Sequence, residues 1–245
     1  MSRLYSADMA SFPRYAIYYA PAPSSDLDRF GAQLLGYDAM GGADLPFPDG
    51  IIETVPDWRD LTRDPRKYGF HATLKAPLAL APGKTEAELR AACETFAGTP
   101  RPIPVIHPVV DSISGFVALV PSAPSAELLR LAADCVRDFD QFREPLTPED
   151  RARRNPAALT PRQREHLERW GYPYVLDEFR LHLTLTNALV DAETIAAGLT
   201  AEFERSVESP ELRVDALALF AEEGVGAPFR LVRRFPFGAG EFNPS

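Results

Sequence analysis

Cysteine is scarce in this chain of 245 residues, with only Cys93 and Cys135. The two lie far apart in helix-like segments. That spacing excludes a disulfide framework or a zinc site and suits buried thiols in a reducing compartment. Histidine is nearly as rare, at four residues. None stands in an H-x-H or H-E-x-x-H arrangement or among clustered carboxylates, so the motifs of metal hydrolases are missing. A P-loop and a Gly-rich dinucleotide fingerprint are also lacking, which argues against a nucleoside triphosphate or NAD as ligand. No run approaches the ~20 apolar residues of a membrane span, and the opening MSRLYSADMASFPRY lacks the apolar stretch of a signal peptide. A cytoplasmic location with no membrane partner is expected. Cationic excess is absent too: the formal net charge is −9. Long nucleic acid, which is held by neutralising many phosphates, is therefore not an expected partner. A small phosphate ester held by a few local cations is compatible with this balance. From Arg137 to His182 acids and arginines are equal, nine of each.

Proline is plentiful, at 24 residues, about twice the usual share, so many punctuated loops are expected. Alternation and helical spacing predict a strand at Arg14–Ala20, a helix at Asp26–Leu35 ended by Gly36, and a long loop from Tyr37 to Tyr68 with a short helix near Asp57–Leu61. Loops of that length are often lids or binding loops. A helix follows at Lys84–Ala97, then a strand pair, Pro104–Asp111 and Phe116–Val120, around Ser112–Gly115. Helices are expected at Ser125–Phe142, from Thr160 (N-cap, with Pro161 at N1 and Gln163 at N3) to Gly171, and at Ala192–Arg205. Strands at Leu212–Ala221 and Phe229–Pro236 flank a turn at Gly224–Gly226.

Two stretches carry the chemistry. GFHATLKA, Gly69 to Ala76, is closed by Pro77, and FRLHLTLT runs from Phe179 to Thr186. On a strand, residues i and i+2 share a face. His71, Thr73 and Lys75 then lie opposite Phe70, Ala72 and Leu74. Arg180, His182, Thr184 and Thr186 lie opposite Leu181, Leu183 and Leu185. Each H-x-T-L strand sits between two helices and is followed by two strands around a small-residue turn, which reads as an internal duplication. Two similar halves facing each other would bring both polar faces to one cleft.

Displacement at a phosphodiester takes a proton from the attacking oxygen and gives one to the leaving oxygen, on opposite sides. Imidazoles titrate near neutrality, so His71 and His182 suit these two tasks. Thr73 and Thr184 are placed to hold the non-bridging oxygens. One H-x-T alone is weak, since a lone strand histidine is usually structural; the pairing carries the inference.

The duplicated H-x-T-L arrangement resembles the 2H phosphoesterase superfamily. RYAIYYAP, KYGFHATLKAP, LTPRQREHLERWGYPYV and EFRLHLTLTNAL are similar to its branch associated with phosphonate-utilisation operons. The resemblance runs from Arg14 to beyond Leu189. It implies a bilobal α+β fold: one domain, residues 1–245, whose quasi-repeat halves 1–122 and 123–245 each hold a mainly antiparallel sheet with helices outside and a cleft between them. It implies His71 and His182 as the acid–base pair and Thr73 and Thr184 as phosphate-binding hydroxyls. The implied activity is metal-independent hydrolysis of a small cyclic phosphodiester, a ribose or nucleotide cyclic phosphate, without a cofactor.

Lys75 and Arg180 are further candidates for a phosphate oxygen, the alternative being a salt bridge at the rim. Arg143, Arg153 and Arg154 are candidates for a terminal-phosphate pocket, the alternative being a solvated face. Tyr18, Tyr68, Tyr172 and Tyr174 are candidates for stacking on a ring or for core packing. His107 reads as structural, and His166 as lying on a helix surface. The rival functions are a binding module that captures a phosphorylated ligand without turnover and a metal-dependent phosphohydrolase.

Overall fold

A computed structural model describes residues 12–209 and 211–238; most of the N-terminal stretch read for a signal peptide, residues 1–11, lies outside them. Seven strands form one antiparallel sheet: β1 (Arg14–Tyr19), β2 (Ala72–Ala79), β3 (Pro108–Ile113), β4 (Phe116–Pro121), β5 (Leu183–Ala188), β6 (Ala216–Glu222) and β7 (Arg230–Pro236). Their order is β7-β6-β1-β2-β5-β4-β3. The principal helices are α1 (Asp26–Leu35), α2 (Glu86–Gly98), α3 (Ala126–Phe139), α4 (Pro148–Arg153), α5 (Pro161–Trp170) and α6 (Ala192–Ser206). The fold is thus α+β, as the sequence pattern indicates, with a single large sheet. The β3–β4 hairpin pairs with β5, while the β6–β7 hairpin pairs with β1. Between the two groups, β2 and β5 share one registered pair, Ala72 opposite Leu183.

Period-two alternation sorts the side chains. Tyr15, Ile17 and Tyr19 of β1 join Leu217 and Leu219 of β6 and Leu183 and Leu185 of β5 in the main core. That core takes the apolar faces of α1, α2, α3 and α6, including Phe30, Leu89, Phe139 and Phe203. Ala16, Tyr18, Ala218 and Phe220 point the other way, into a smaller cluster with Tyr37 and Phe229. The helix ends follow their sequence signals. Ser25 caps α1, Thr85 and Glu88 form a capping box on α2, and Thr160 and Gln163 form one on α5. These boxes satisfy amide groups that the first helical turn leaves unpaired.

The 37–68 segment is docked rather than loose. It holds three single-turn helices, Ile51–Thr54, Trp58–Leu61 and Arg63–Arg66. Trp58 is fully buried and its indole N–H donates to the Leu34 carbonyl at 2.9 Å. Asn187, at the end of β5, donates to the Asp60 carbonyl and accepts from the Asp64 amide.

Gly31 of α1 faces Phe70, immediately before His71. A Cβ there would lie 2.1 Å from two atoms of that ring. Gly-to-Ala in a helix ordinarily favours folding by about 1 kcal/mol. Gly31→Ala is instead expected to destabilise by about 1–3 kcal/mol through overpacking. Urea unfolding checks this, and a raised midpoint would show that Phe70 yields without cost.

Candidate functional site

Both histidines stand one residue before a strand rather than inside it: β2 begins at Ala72 and β5 at Leu183. Because Ala72 and Leu183 are opposed in antiparallel register, continuing that register sets His71 toward Thr184 and Thr73 toward His182. The two H-x-T motifs interlock across the narrowest point of the sheet.

The rings are oriented in the same way. Nδ1 of His71 lies 2.9 Å from the Gly69 carbonyl, and Nδ1 of His182 lies 2.9 Å from the Arg180 carbonyl. A carbonyl only accepts, so each Nδ1 carries a proton and each neutral ring offers Nε2 as its free base. The Thr73 hydroxyl, 3.3 Å from Nε2 of His71, donates to it. Tyr18 of β1 stacks on His71 with ring centroids 3.8 Å apart. Phe116, at the start of β4, packs on His182 at 5.6 Å. Gly69 adopts φ +70°, and a Cβ there would come 2.5 Å from Cβ of Ala39, so glycine is required where the carbonyl must aim at His71.

Burial makes charging costly. His71 is pushed down from 6.5 to about 4, by burial first, against the pull of the Gly69 carbonyl and with a further push from His182. His182 is lowered as well, by burial, with the Arg180 carbonyl opposing. Both rings are therefore neutral at pH 7 without a ligand. An anion between them would raise both values and let one ring hold a proton.

Thr73 and His182 border a cavity of about 420 Å³ whose opposite wall comes from the α5 region and the following turn, including Gln163, Tyr172, Tyr174 and Arg180. Arg180 is exposed on this wall and makes no ion pair among the described residues. Tyr68 lies 6.1 Å from His71 and stacks on Phe229 at 5.2 Å. Tyr172 and Tyr174 meet edge to face at 5.6 Å.

The face expected to be common to His71, Thr73 and Lys75 ends at Thr73. Tyr18 is paired with Thr73 but Ile17 with Lys75, so Leu74 is an extra residue in the ladder. Such a bulge reverses the alternation beyond it. Lys75 consequently points away from the histidines, is buried, and donates to Asp140 at 2.7 Å and to the Val136 carbonyl at 3.1 Å. Arg143 is drawn to that same carboxylate at 2.9 Å. With Arg153 and Arg154 it lines a separate cleft of about 300 Å³. His166 is not on a helix surface: it is 2% exposed, and Nε2 lies 2.7 Å from Asp177, which Arg162 also holds. This clasp anchors the turn that leads into Arg180 and His182.

Phe116 was not among the sequence candidates; its one signal is an aromatic opening a strand directly after the Ser114-Gly115 turn.

Residues 73–230 match a family described as "Protein of unknown function (DUF1045)". The chain belongs to the DUF1045 family. The DUF1045 match takes in Thr73, His182 and Thr184. Two curated relatives bear the name ribose 1,5-bisphosphate phosphokinase PhnN. The one from Janthinobacterium sp. (strain Marseille) is 38% identical over 239 residues, covering 94% of this chain and 52% of the relative. The one from Laribacter hongkongensis (strain HLHK9) is 34% identical over 223 residues, covering 90% and 51%. This DUF1045 chain thus spans about half the length of the curated relatives it matches. Among its described residues no helix is long and apolar enough to cross a membrane.

A histidine whose pKa falls on folding binds fewer protons in the native state, so stability is complete above the unfolded value of 6.5 and is lost as pH falls toward 4. The expected outcome is a decline of unfolding free energy from pH 6.5 to 4 that is shallower in His71→Gln. NMR titration of wild type should place the His71 midpoint near about 4. A midpoint at 6.5 or above would contradict the burial account.

Proposed function

We propose that this chain is a metal-independent phosphoesterase that opens a small cyclic phosphodiester on a ribose-containing substrate, by acid–base catalysis shared between His71 and His182. The observation that carries this reading is the matched presentation of the two rings: each Nδ1 held by the carbonyl two residues earlier, with Ala72 opposite Leu183 between them. The phosphate sits between the imidazoles. One Nε2 takes a proton from water as its oxygen attacks phosphorus. The other ring, protonated once the anion is bound, gives its proton to the departing ribose oxygen. The P–O bond to that oxygen breaks, and a phosphomonoester with a free hydroxyl results. Thr73 and Thr184 donate to the non-bridging oxygens as charge develops there.

The relatives' name denotes a different reaction, because a phosphokinase transfers a phosphoryl group from a nucleotide. The nearest approach to a P-loop is Gly83-Lys84-Thr85, between β2 and α2. Leu78 stands where its first glycine belongs, and the Thr85 hydroxyl is engaged in the capping box with Glu88. Since this chain corresponds to only about half of each relative, we assign the phosphokinase activity to their remaining half. The shared theme is a ribose phosphate. This agrees with the resemblance to the phosphonate-operon branch.

His71→Ala and His182→Ala should each lower kcat on a ribose cyclic phosphate by about 10²–10⁴-fold, with unchanged circular dichroism. Binding of such phosphates with no product from wild type would favour the capture module. Turnover should survive a chelator; its loss would favour a metal hydrolase. One ring must be neutral and the other charged, and both are lowered from 6.5 in the free protein. The optimum of kcat/KM should therefore lie on the acid side of 6.5, with activity falling as pH rises above it. An optimum above pH 8 would count against the pair.

A further inference from the structure

The cleft beside the cavity that Thr73 and His182 border is not used by this mechanism. It is lined by four arginines, Arg14, Arg143, Arg153 and Arg154. Three are already matched to carboxylates: Arg14 to Glu222, Arg143 to Asp140 and Arg153 to Asp150. Arg154 is different. Among the described residues it is exposed and has no carboxylate partner, and its guanidinium lies over the Tyr172 ring, 4.9 Å from the centroid.

Two chain junctions show that cleft and cavity are neighbours. Ala76 borders the cavity and Pro77 the cleft; Tyr172 borders the cavity and Gly171 the cleft. Tyr172 is therefore the partition, with Arg154 over its ring. Tyr18 stands beside His71. It is 1% exposed, stacks on His71, and its hydroxyl makes no hydrogen bond among the described residues. Thr73 and Pro77 are four strand residues apart, about 13 Å. A pentose phosphorylated at both ends, together with the reach of an arginine side chain, closes that gap.

We propose that Arg154, with Tyr172, forms a second anion subsite that holds a terminal phosphomonoester of the substrate while the histidines act on a cyclic diester at its other end. This deepens the reading above and rests on it: the substrate class becomes a doubly phosphorylated pentose. Once the three pairs are set aside, Arg154 stands against Glu144 and Glu149 in the lining, so the cleft carries no net positive charge. Recognition rests on the directed guanidinium N–H groups, a geometry that suits phosphate.

The probe is ribose 5-phosphate, titrated calorimetrically into the full chain. Wild type should bind it, Arg154→Gln should weaken binding at least tenfold, and His71→Ala should retain it within about twofold. Arg154→Lys, which keeps the charge but not the planar fork, should fall between. Because Arg154 is exposed, these changes leave the core untouched. Equal affinity in wild type and Arg154→Gln, or no binding to wild type, overturns the subsite. Loss of binding in His71→Ala overturns it as well, by moving the phosphate to the histidines. Hydrolysis is scored separately on ribose cyclic phosphates with and without the 5-phosphate. The kcat/KM advantage of the former should shrink at least tenfold in Arg154→Gln. Arg154-dependent binding without turnover of either compound sinks the hydrolase and spares the subsite. Turnover with an unchanged ratio does the reverse.

Discussion

The sheet is continuous only because β2 and β5 touch at Ala72 and Leu183. Each strand begins at that pair and runs away from it in the opposite direction, committed to its own neighbour: β2 to β1, and β5 to β4. The ladder between them therefore extends no further than their first residues, where the two H-x-T motifs lie. The site depends on this junction.

Orientation and burial act together on the imidazoles. The carbonyls of Gly69 and Arg180 fix the tautomer, so Nε2 is the nitrogen that each neutral ring leaves unprotonated. The aromatic rings of Tyr18 and Phe116 remove water from one side of each imidazole. With its pKa pushed down by burial, the His71 ring is neutral at pH 7. A ring that resists protonation on its own accepts a proton when a phosphate compensates the charge. Tyr18, itself buried with its pKa well above 10, stays neutral and contributes a polarisable surface rather than a competing acid.

Much of this was legible from residue order. Strict alternation around His71 put Thr73 on the same face as its ring, where the hydroxyl meets Nε2, and the capping boxes at Thr85 and Thr160 follow directly from side-chain chemistry. What was hidden has specific causes. The fate of Lys75 turns on one unpaired residue, Leu74, whose bulge depends on how β1 lies against β2. Nothing in LKAP signals it. His166 looks solvated in RQREHLERW because its neighbours are charged, but Asp177, eleven residues on, folds back over it. The separation of Arg143 from the histidines likewise follows from Asp140, which gathers both Lys75 and Arg143. The Lys75 contact spans 65 residues and leaves no local trace.

The exchange of hairpins has a consequence for how the polypeptide is assembled. β3 and β4 come early in the chain yet complete the group built on β5, and β6 and β7 come late yet complete the group built on β1. Severing the backbone near Ser122 would leave each fragment with one of the two H-x-T histidines and with strands whose partners reside in the other piece. Neither fragment owns a finished core. Mixing the two should restore a competent particle where either alone stays unstructured, so reconstitution from halves becomes a property of the topology.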